Sequence, residues 1–276
     1  MRKPLNQPQA VKAFARRSGP AGLDYRRVSA ANSNTRIFVG SGGRQATQVP
    51  ATDPGTDPHE QSVGLNTERL RAGMVQRLSN QGITDERVLA AMARVPRHRF
   101  VDQGLASRAY TDDALPIGYN QTISQPWIVA RMVSVVCENR TLGRVLEIGA
   151  GCGYQAAVLS CLAAQVYGIE RIRGLQEQAV NTLSQLDLPG KIQLVFSDGL
   201  TGLPENAPFD AILVAAAGPE LPVALFQQLA IGGRLVAPCG SDIQHLVLVE
   251  RTGKDTWRQE TLEAVRFVPL RSGIQF

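Results

Sequence analysis

From Arg144 onward the chain alternates short runs of β-type apolar residues with segments of helical periodicity. The runs are RVLEI (144–148), QVYGIE (165–170), IQLVFSD (192–198), FDAILVAA (209–216) and GRLVAP (233–238). Helical stretches are expected between them at 154–162, 172–186 and 221–229. Near-continuous Val/Ile/Leu strands separated by helices predict a parallel sheet covered on both faces. After Gly240 the helices stop: HLVLVE (245–250) and AVRFVPL (264–270) flank the polar stretch RTGKDTWRQ. These read as two closing strands, at least one antiparallel, which makes seven.

Upstream, Leu70, Met74 and Leu78 recur at helical spacing behind Asn66 or Thr67 as a cap, and Gly82 ends that helix. Thr84 is expected to cap a second helix, with Asp85 and Glu86 in its first turn and Val88, Leu89 and Met92 on its buried face. Pro96 terminates it. The pair reads as a helical cap on the sheet domain. A third helix is expected over the apolar run 128–133, directly after the polar segment TISQPW (122–127).

Composition narrows the function classes. The chain has 276 residues, 43% hydrophobic and 19% charged, enough for one sizeable core. Its longest apolar runs fall short of the roughly eighteen residues a membrane helix needs. Of the formal charge of +5, all resides in residues 1–62, which hold nine Lys/Arg and four Asp/Glu; the remainder carries twenty of each sign. That segment is poor in large apolar residues and is expected to be a disordered basic extension, residues 1–64, ahead of a domain over 65–276 (cap and active-site segment 65–125, core 126–276). The missing apolar stretch argues against a secretory signal, while an organellar transit peptide stays open because the first 23 residues are basic and lack acids. Four scattered cysteines without CxxC or Cys/His ligand spacing argue against a disulfide framework or a metal site. A cytoplasmic monomer without nucleic-acid or membrane partners is the expectation.

The first strand of the sheet runs into E-I-G-A-G-C-G-Y (147–154), placing Gly149, Gly151 and Gly153 at a strand–loop–helix junction where backbone N–H groups approach a ligand. A dinucleotide fingerprint would need glycine at 154, where Tyr154 stands. The spacing present, preceded by Glu147, suits a ligand with a cationic as well as an anionic end and no pyrophosphate, such as S-adenosylmethionine. Glu170 ends the second strand, positioned to accept from ribose hydroxyls. Asp198 and Gly199 end the third, where an acid and exposed backbone meet an adenine. Three such features at the carboxyl ends of successive parallel strands predict a class I methyltransferase core: α/β, doubly wound, mostly parallel, Rossmann-like, with an N-terminal helical cap.

Further segments carry a resemblance. ALPIGYNQTISQPWIVARM (114–132), VLEIGAGCGYQ (145–155), PFDAILV (208–214), GGRLVAPCG (232–240) and EAVRFVPL (263–270) closely resemble protein-L-isoaspartate O-methyltransferases of the bacterial type, from about Leu65 to the C-terminus. The resemblance implies that the TIS segment lies between cofactor and peptide, with Ser124 as the active-site serine. Gln121, Thr122 and Ile123 line the site, and Gly149, Gly151, Glu170, Asp198 and Gly199 contact S-adenosylmethionine. The usual glycine-rich lead-in to TIS is departed from at Tyr119 and Asn120, which narrows the entrance and bears on substrate preference.

The implied reaction agrees with the residue types. An isoaspartyl linkage exposes an α-carboxylate already ionised at neutral pH, so methyl transfer needs alignment rather than a general base. Thr122 and Ser124 hydroxyls can orient that carboxylate; Ser124 can alternatively cap the helix after it. The small Ala215-Ala216-Ala217, where nucleic-acid and amine methyltransferases carry an acidic or Asn-Pro motif, suits a groove admitting polypeptide backbone, with Ala216 against the substrate. Trp127 is expected to pack, His98 to sit at the surface and Cys152 to fill space. Two alternatives stay open: an RNA-modifying class I enzyme using the basic arm, and a non-catalytic binder that keeps the cofactor pocket.

Overall fold

The computed structural model describes residues 58–276, with side chains from Thr67, all within one unit spanning Asp53–Phe276. The expected basic extension lies almost wholly outside the described residues. Helix α1 (Pro58–Asn80) begins ahead of the expected cap, so Asn66 and Thr67 fall inside it. It buries Met74 and Leu78. Helix α2 (Glu86–Arg94) is capped by Asp85 rather than Thr84: the Asp85 carboxylate accepts from Arg87 N at 3.0 Å. Aspartate one position later wins because its oxygen reaches the free N–H of the first turn and also holds the Arg87 guanidinium at 2.7 Å. Fully buried Val88 and Met92 seat α2 on the helices behind it; side chains of this size each contribute about 1.5–3 kcal/mol.

A two-stranded hairpin comes next, β1 (Leu115–Gly118) and β2 (Gln121–Ile123), and then α3 (Pro126–Cys137). The sheet is built from β3 (Leu142–Ile148), β4 (Ala163–Glu170), β5 (Lys191–Phe196), β6 (Phe209–Val214), β7 (Leu229–Cys239), β8 (Gln244–Gly253) and β9 (Thr256–Val265). Helices α4 (Tyr154–Ser160), α5 (Arg173–Ser184) and α6 (Val223–Gln227) connect them. Strand order is β5-β4-β3-β6-β7-β8-β9; the first five are parallel, and β8 and β9 are antiparallel. The chain moves outward from β3 to β5, then returns to lay β6 beside β3. That reversal opens a crevice at the carboxyl ends of the strands.

Alternation along the strands supplies both faces. Val145, Val166, Ala211 and Leu213 join the core under α1 to α4, whereas Leu146, Ile148, Ile169, Ile212 and Val214 pack on the side of α6. The two N-terminal helices pack on α3 and α4 on the former side of the sheet. Over the crevice itself lies the β1–β2 hairpin.

The closing strands differ from expectation. Thr256–Val265 forms β9, and most of AVRFVPL lies beyond it. This edge strand is exposed on both faces around Arg258, Gln259 and Glu260, so polar residues, two of them read as part of a polar turn, are suitable strand residues there. Past Val265 the chain pairs with the loop after β6 instead: Ala217 N donates to Val268 O at 2.8 Å, and Leu270 N to Ala217 O at 2.7 Å. Among the described residues no helix is long and apolar enough to cross a membrane.

Candidate functional site

The glycine loop is bound to the end of β4 by its own amides. Gly149 N and Ala150 N both donate to Ile169 O, at 2.8 and 3.0 Å. Gly149, Gly151 and Gly153 all have left-handed backbone, with φ of 82°, 54° and 86°, a region that glycine adopts without steric cost. Gly151 N donates to Glu170 Oε2 at 2.9 Å, and Ile172 N to Glu170 Oε1 at 2.9 Å. Those two bonds fix the carboxylate while each oxygen keeps a further lone pair for a hydroxyl. Gly149, Gly151 and Glu170 line the cleft. Gly153 does not. It starts α4, and a Cβ there would lie 3.0 Å from Leu183 and 3.3 Å from Ala179 on α5, so its smallness serves helix packing.

Glu147 is the unusual group. It is 1% exposed, its Oε1 accepts from Gln155 Nε2 at 3.1 Å, and its Oε2 has no partner although it belongs to the cleft wall. Burial holds this carboxyl well above the usual carboxylate range, the Gln155 bond opposes the shift, and the Glu170 charge adds to it. A buried acceptor left unpaired in a cleft fits a ligand that brings a cationic donor. The donor set of the wall, an orphaned carboxyl oxygen plus a fixed carboxylate and glycine backbone, therefore fits S-adenosylmethionine.

The opposite wall is formed by the hairpin and the residue just after it. Gln121, Thr122, Ile123 and Ser124 all line the cleft. Neither the Thr122 nor the Ser124 hydroxyl is hydrogen-bonded within the described residues. Ser124 is released from capping because α3 is capped from a distance: Asp112 Oδ1 accepts from Trp127 N at 3.0 Å, and Gln125 occupies the cap position. The Ser124 carbonyl is held by Arg97, whose Nη2 donates at 2.7 Å while Nε donates to Ala109 O at 2.7 Å. Arg97 is wholly buried, lies over the Tyr154 ring at 4.7 Å and has no carboxylate partner among the described residues. Trp127 packs against the core, and His98 Nδ1 meets the Tyr110 hydroxyl at 2.7 Å.

The third wall comes from strand ends and the C-terminal segment. Gly199 and Ala216 line it, and any side chain at Gly199 would run into Ile148. Asp198 is absent from the lining. Its Oδ1 accepts from Leu200 N at 2.9 Å and its Oδ2 from Gly273 N at 2.6 Å, so this carboxylate clamps the C-terminal segment. Residues 268–271 complete the wall. Burial pushes the Cys152 thiol up to about 11, which leaves it a space-filling thiol rather than a nucleophile. Among the described residues no cluster of His, Cys, Asp and Glu could hold a metal ion.

The profile of protein-L-isoaspartate(D-aspartate) O-methyltransferase (PCMT) matches residues 69–275. The chain belongs to this family. A protein-L-isoaspartate O-methyltransferase of Bordetella parapertussis is 59% identical over 248 residues, covering 90% of this chain and 93% of the relative. That of Bordetella avium is 55% identical over 275 residues, covering 100% of both, so similarity extends into the segment ahead of residue 65. A solved protein-L-isoaspartate O-methyltransferase superposes with a TM-score of 0.66 at 29% identity, covering 74% of this chain and 67% of the other. A Plasmodium falciparum structure described as a member of the same family, in complex with S-adenosyl-L-homocysteine, gives 0.60 at 25% identity, covering 73% and 98%.

Within this methyltransferase fold, sequence reasoning missed three contributors. Gln155 pairs with Glu147 from the first turn of α4; a polar residue in an otherwise apolar helix was its signal. Arg97 stands beside His98, expected at the surface, in PRHRF (96–100), and nothing local marks it as buried. Val268 to Arg271 look like a strand in sequence and become a cleft wall only through pairing with Ala217.

Proposed function

We propose that this chain transfers a methyl group from S-adenosylmethionine to the free α-carboxylate of L-isoaspartyl residues in damaged proteins and peptides. The observation that carries the reading is the pairing of two walls. One offers carboxylates and glycine backbone for a cationic cofactor; the other offers the hydroxyls of Thr122 and Ser124, which none of the described residues engages.

When bound, S-adenosylmethionine supplies an electrophilic methyl on a sulfonium sulfur. Glu147 would accept from its ammonium group, Glu170 from its ribose hydroxyls, and the Gly199 backbone would border its adenine. Asp198 acts here through the C-terminal segment it clamps. Thr122 and Ser124 orient the substrate carboxylate, and Ile123 and Ala216 border the peptide. Among the described residues no histidine lines the cleft; a carboxylate nucleophile is ionised at neutral pH, so the barrier is lowered by alignment. The neighbouring backbone amide nitrogen then attacks the ester carbonyl and displaces the methoxy group, which leaves as methanol with the amide proton, giving the succinimide through which repair proceeds.

We further propose a cytoplasmic monomer acting on polypeptide rather than nucleic acid, since residues beyond 62 are charge-balanced. Labelled S-adenosylmethionine offered with matched L-isoaspartyl and L-aspartyl peptides should give base-labile ester on the isoaspartyl peptide alone. Ser124→Ala should lower kcat by about ten- to a hundredfold while S-adenosylhomocysteine still binds. Binding of cofactor without transfer to either peptide would overturn the substrate assignment, and transfer to RNA would favour the basic-arm alternative.

A further inference from the structure

The turn joining β1 and β2 contains a residue that ordinary turn chemistry does not favour. Gly118 pairs with Gln121, leaving a two-residue turn with Tyr119 at φ 51° and Asn120 at φ 56°. Both central residues are left-handed, as a type I′ turn requires; Asn, Asp and Gly suit that geometry. Asn120 conforms. Tyr119 is a bulky side chain in a region that costs L-residues roughly 1–2 kcal/mol. Backbone strain of this kind persists where something else holds the residue.

What holds it is across the cleft. A Cβ built on Gly174, in the first turn of α5, would collide with the Tyr119 hydroxyl and Cζ. The half-exposed tyrosine therefore rests its tip on the bare backbone of Gly174, and a larger residue there would push the ring off that seat. The hairpin has a second foothold on the same side, since Ile117 Cδ1 lies 3.2 Å from where a Gly151 side chain would begin. Gly174 is close in the chain to Glu170 and Ile172, which line the cofactor cleft. The hairpin bearing Gln121, Thr122 and Ile123 is thus fastened at its tip to the element that anchors the cofactor.

We propose that Tyr119 is a latch: by docking on Gly174 it holds the β1–β2 hairpin across the cofactor cleft and sets how fast cofactor and spent cofactor exchange. The latch rests on the reading of this cleft as the S-adenosylmethionine site. It makes Tyr119 a positioning residue for Thr122, acting through the hairpin rather than on the substrate carboxylate.

The contact can be broken from either side without harming the fold. Tyr119→Asn removes the ring and puts a residue suited to the turn in its place. Gly174→Ala fills the docking point and replaces a helix glycine by the best helix former, worth up to about 1 kcal/mol. Release of labelled S-adenosylhomocysteine from the full-length protein, measured without peptide, should be about tenfold faster in each variant, with Tm unchanged or raised. Opposite movement of retention and stability is what a merely structural role would not give. The double variant should be no faster than either single one, because both remove the same contact. Wild-type release rates in either single variant, or fully additive effects in the double, would overturn the latch. Failure of the wild-type protein itself to bind S-adenosylhomocysteine would instead overturn the cofactor reading, and the latch with it.

Discussion

At the scale of single residues, the site is defined by groups whose bonding is incomplete or spoken for. Thr122 and Ser124 carry hydroxyls that none of the described residues engages, whereas both Asp198 oxygens are taken by amides. Glu147 lies between these cases, with one oxygen bonded and one orphaned. Burial raises its folded-state pKa above the ordinary value of 4.5, so folding shifts this carboxyl toward its neutral form. The stability this contributes is complete below about pH 4.5 and lost as pH rises through the raised folded value. Glu147→Gln should therefore flatten the fall in Tm between pH 5 and pH 8 in cofactor-free protein, while weakening S-adenosylmethionine binding. In the wild-type protein a cofactor ammonium beside Glu147 favours the ionised carboxylate. Binding at a pH between the ordinary and the raised value should then release a proton, which calorimetry in buffers of different ionisation enthalpy would register; a buffer-independent binding heat across the range from about pH 5 to pH 8 would show that Glu147 does not change protonation.

At the scale of elements, α3 shows how a functional side chain is kept free. Ser124-Gln125-Pro126 has the composition of a helix start, and serine would be a favourable cap. Asp112, from the loop before the hairpin, takes that role through Trp127 N, and its carbonyl also accepts from Gln125 Nε2 at 2.9 Å. Asp112→Ala should cost about 1 kcal/mol in stability and should also reduce methyl transfer, because the start of α3 would no longer be fixed behind Ser124. Denaturant unfolding alongside kcat at fixed peptide concentration tests this; a loss of stability with unchanged kcat would separate the cap from the site. The inner strands β3, β4, β6 and β7 were legible because burial on both faces demands continuous apolar runs. Strand β9 was not, because its exposed middle carries Arg258, Gln259 and Glu260, and a polar edge strand resembles a turn in one dimension.

At the scale of the molecule, every described residue that lines the cleft lies between Ile117 and Arg271. Helix α1 begins at Pro58, within the unit that starts at Asp53, so we propose the functional domain starts there rather than at residue 65. A protein lacking residues 1–52 should keep its kcat and its Tm. It should leave a cation-exchange resin at lower salt than the full chain, because the removed segment holds nine basic residues and one acidic. Loss of activity on that truncation would assign the extension a part in catalysis. The sequence by itself determined the layered α/β fold, the glycine loop with its flanking acids and the TIS segment, because each is written in contiguous residues with a local physical meaning. Only the tertiary structure decided which carboxylates face the ligand, that Asp112 frees Ser124, that Arg97 supports it from behind, and that Tyr119 seats on Gly174. Those pairings join residues 12 to 75 positions apart, and the space left by a missing Cβ or an unpaired lone pair exists only once the chain has folded around it.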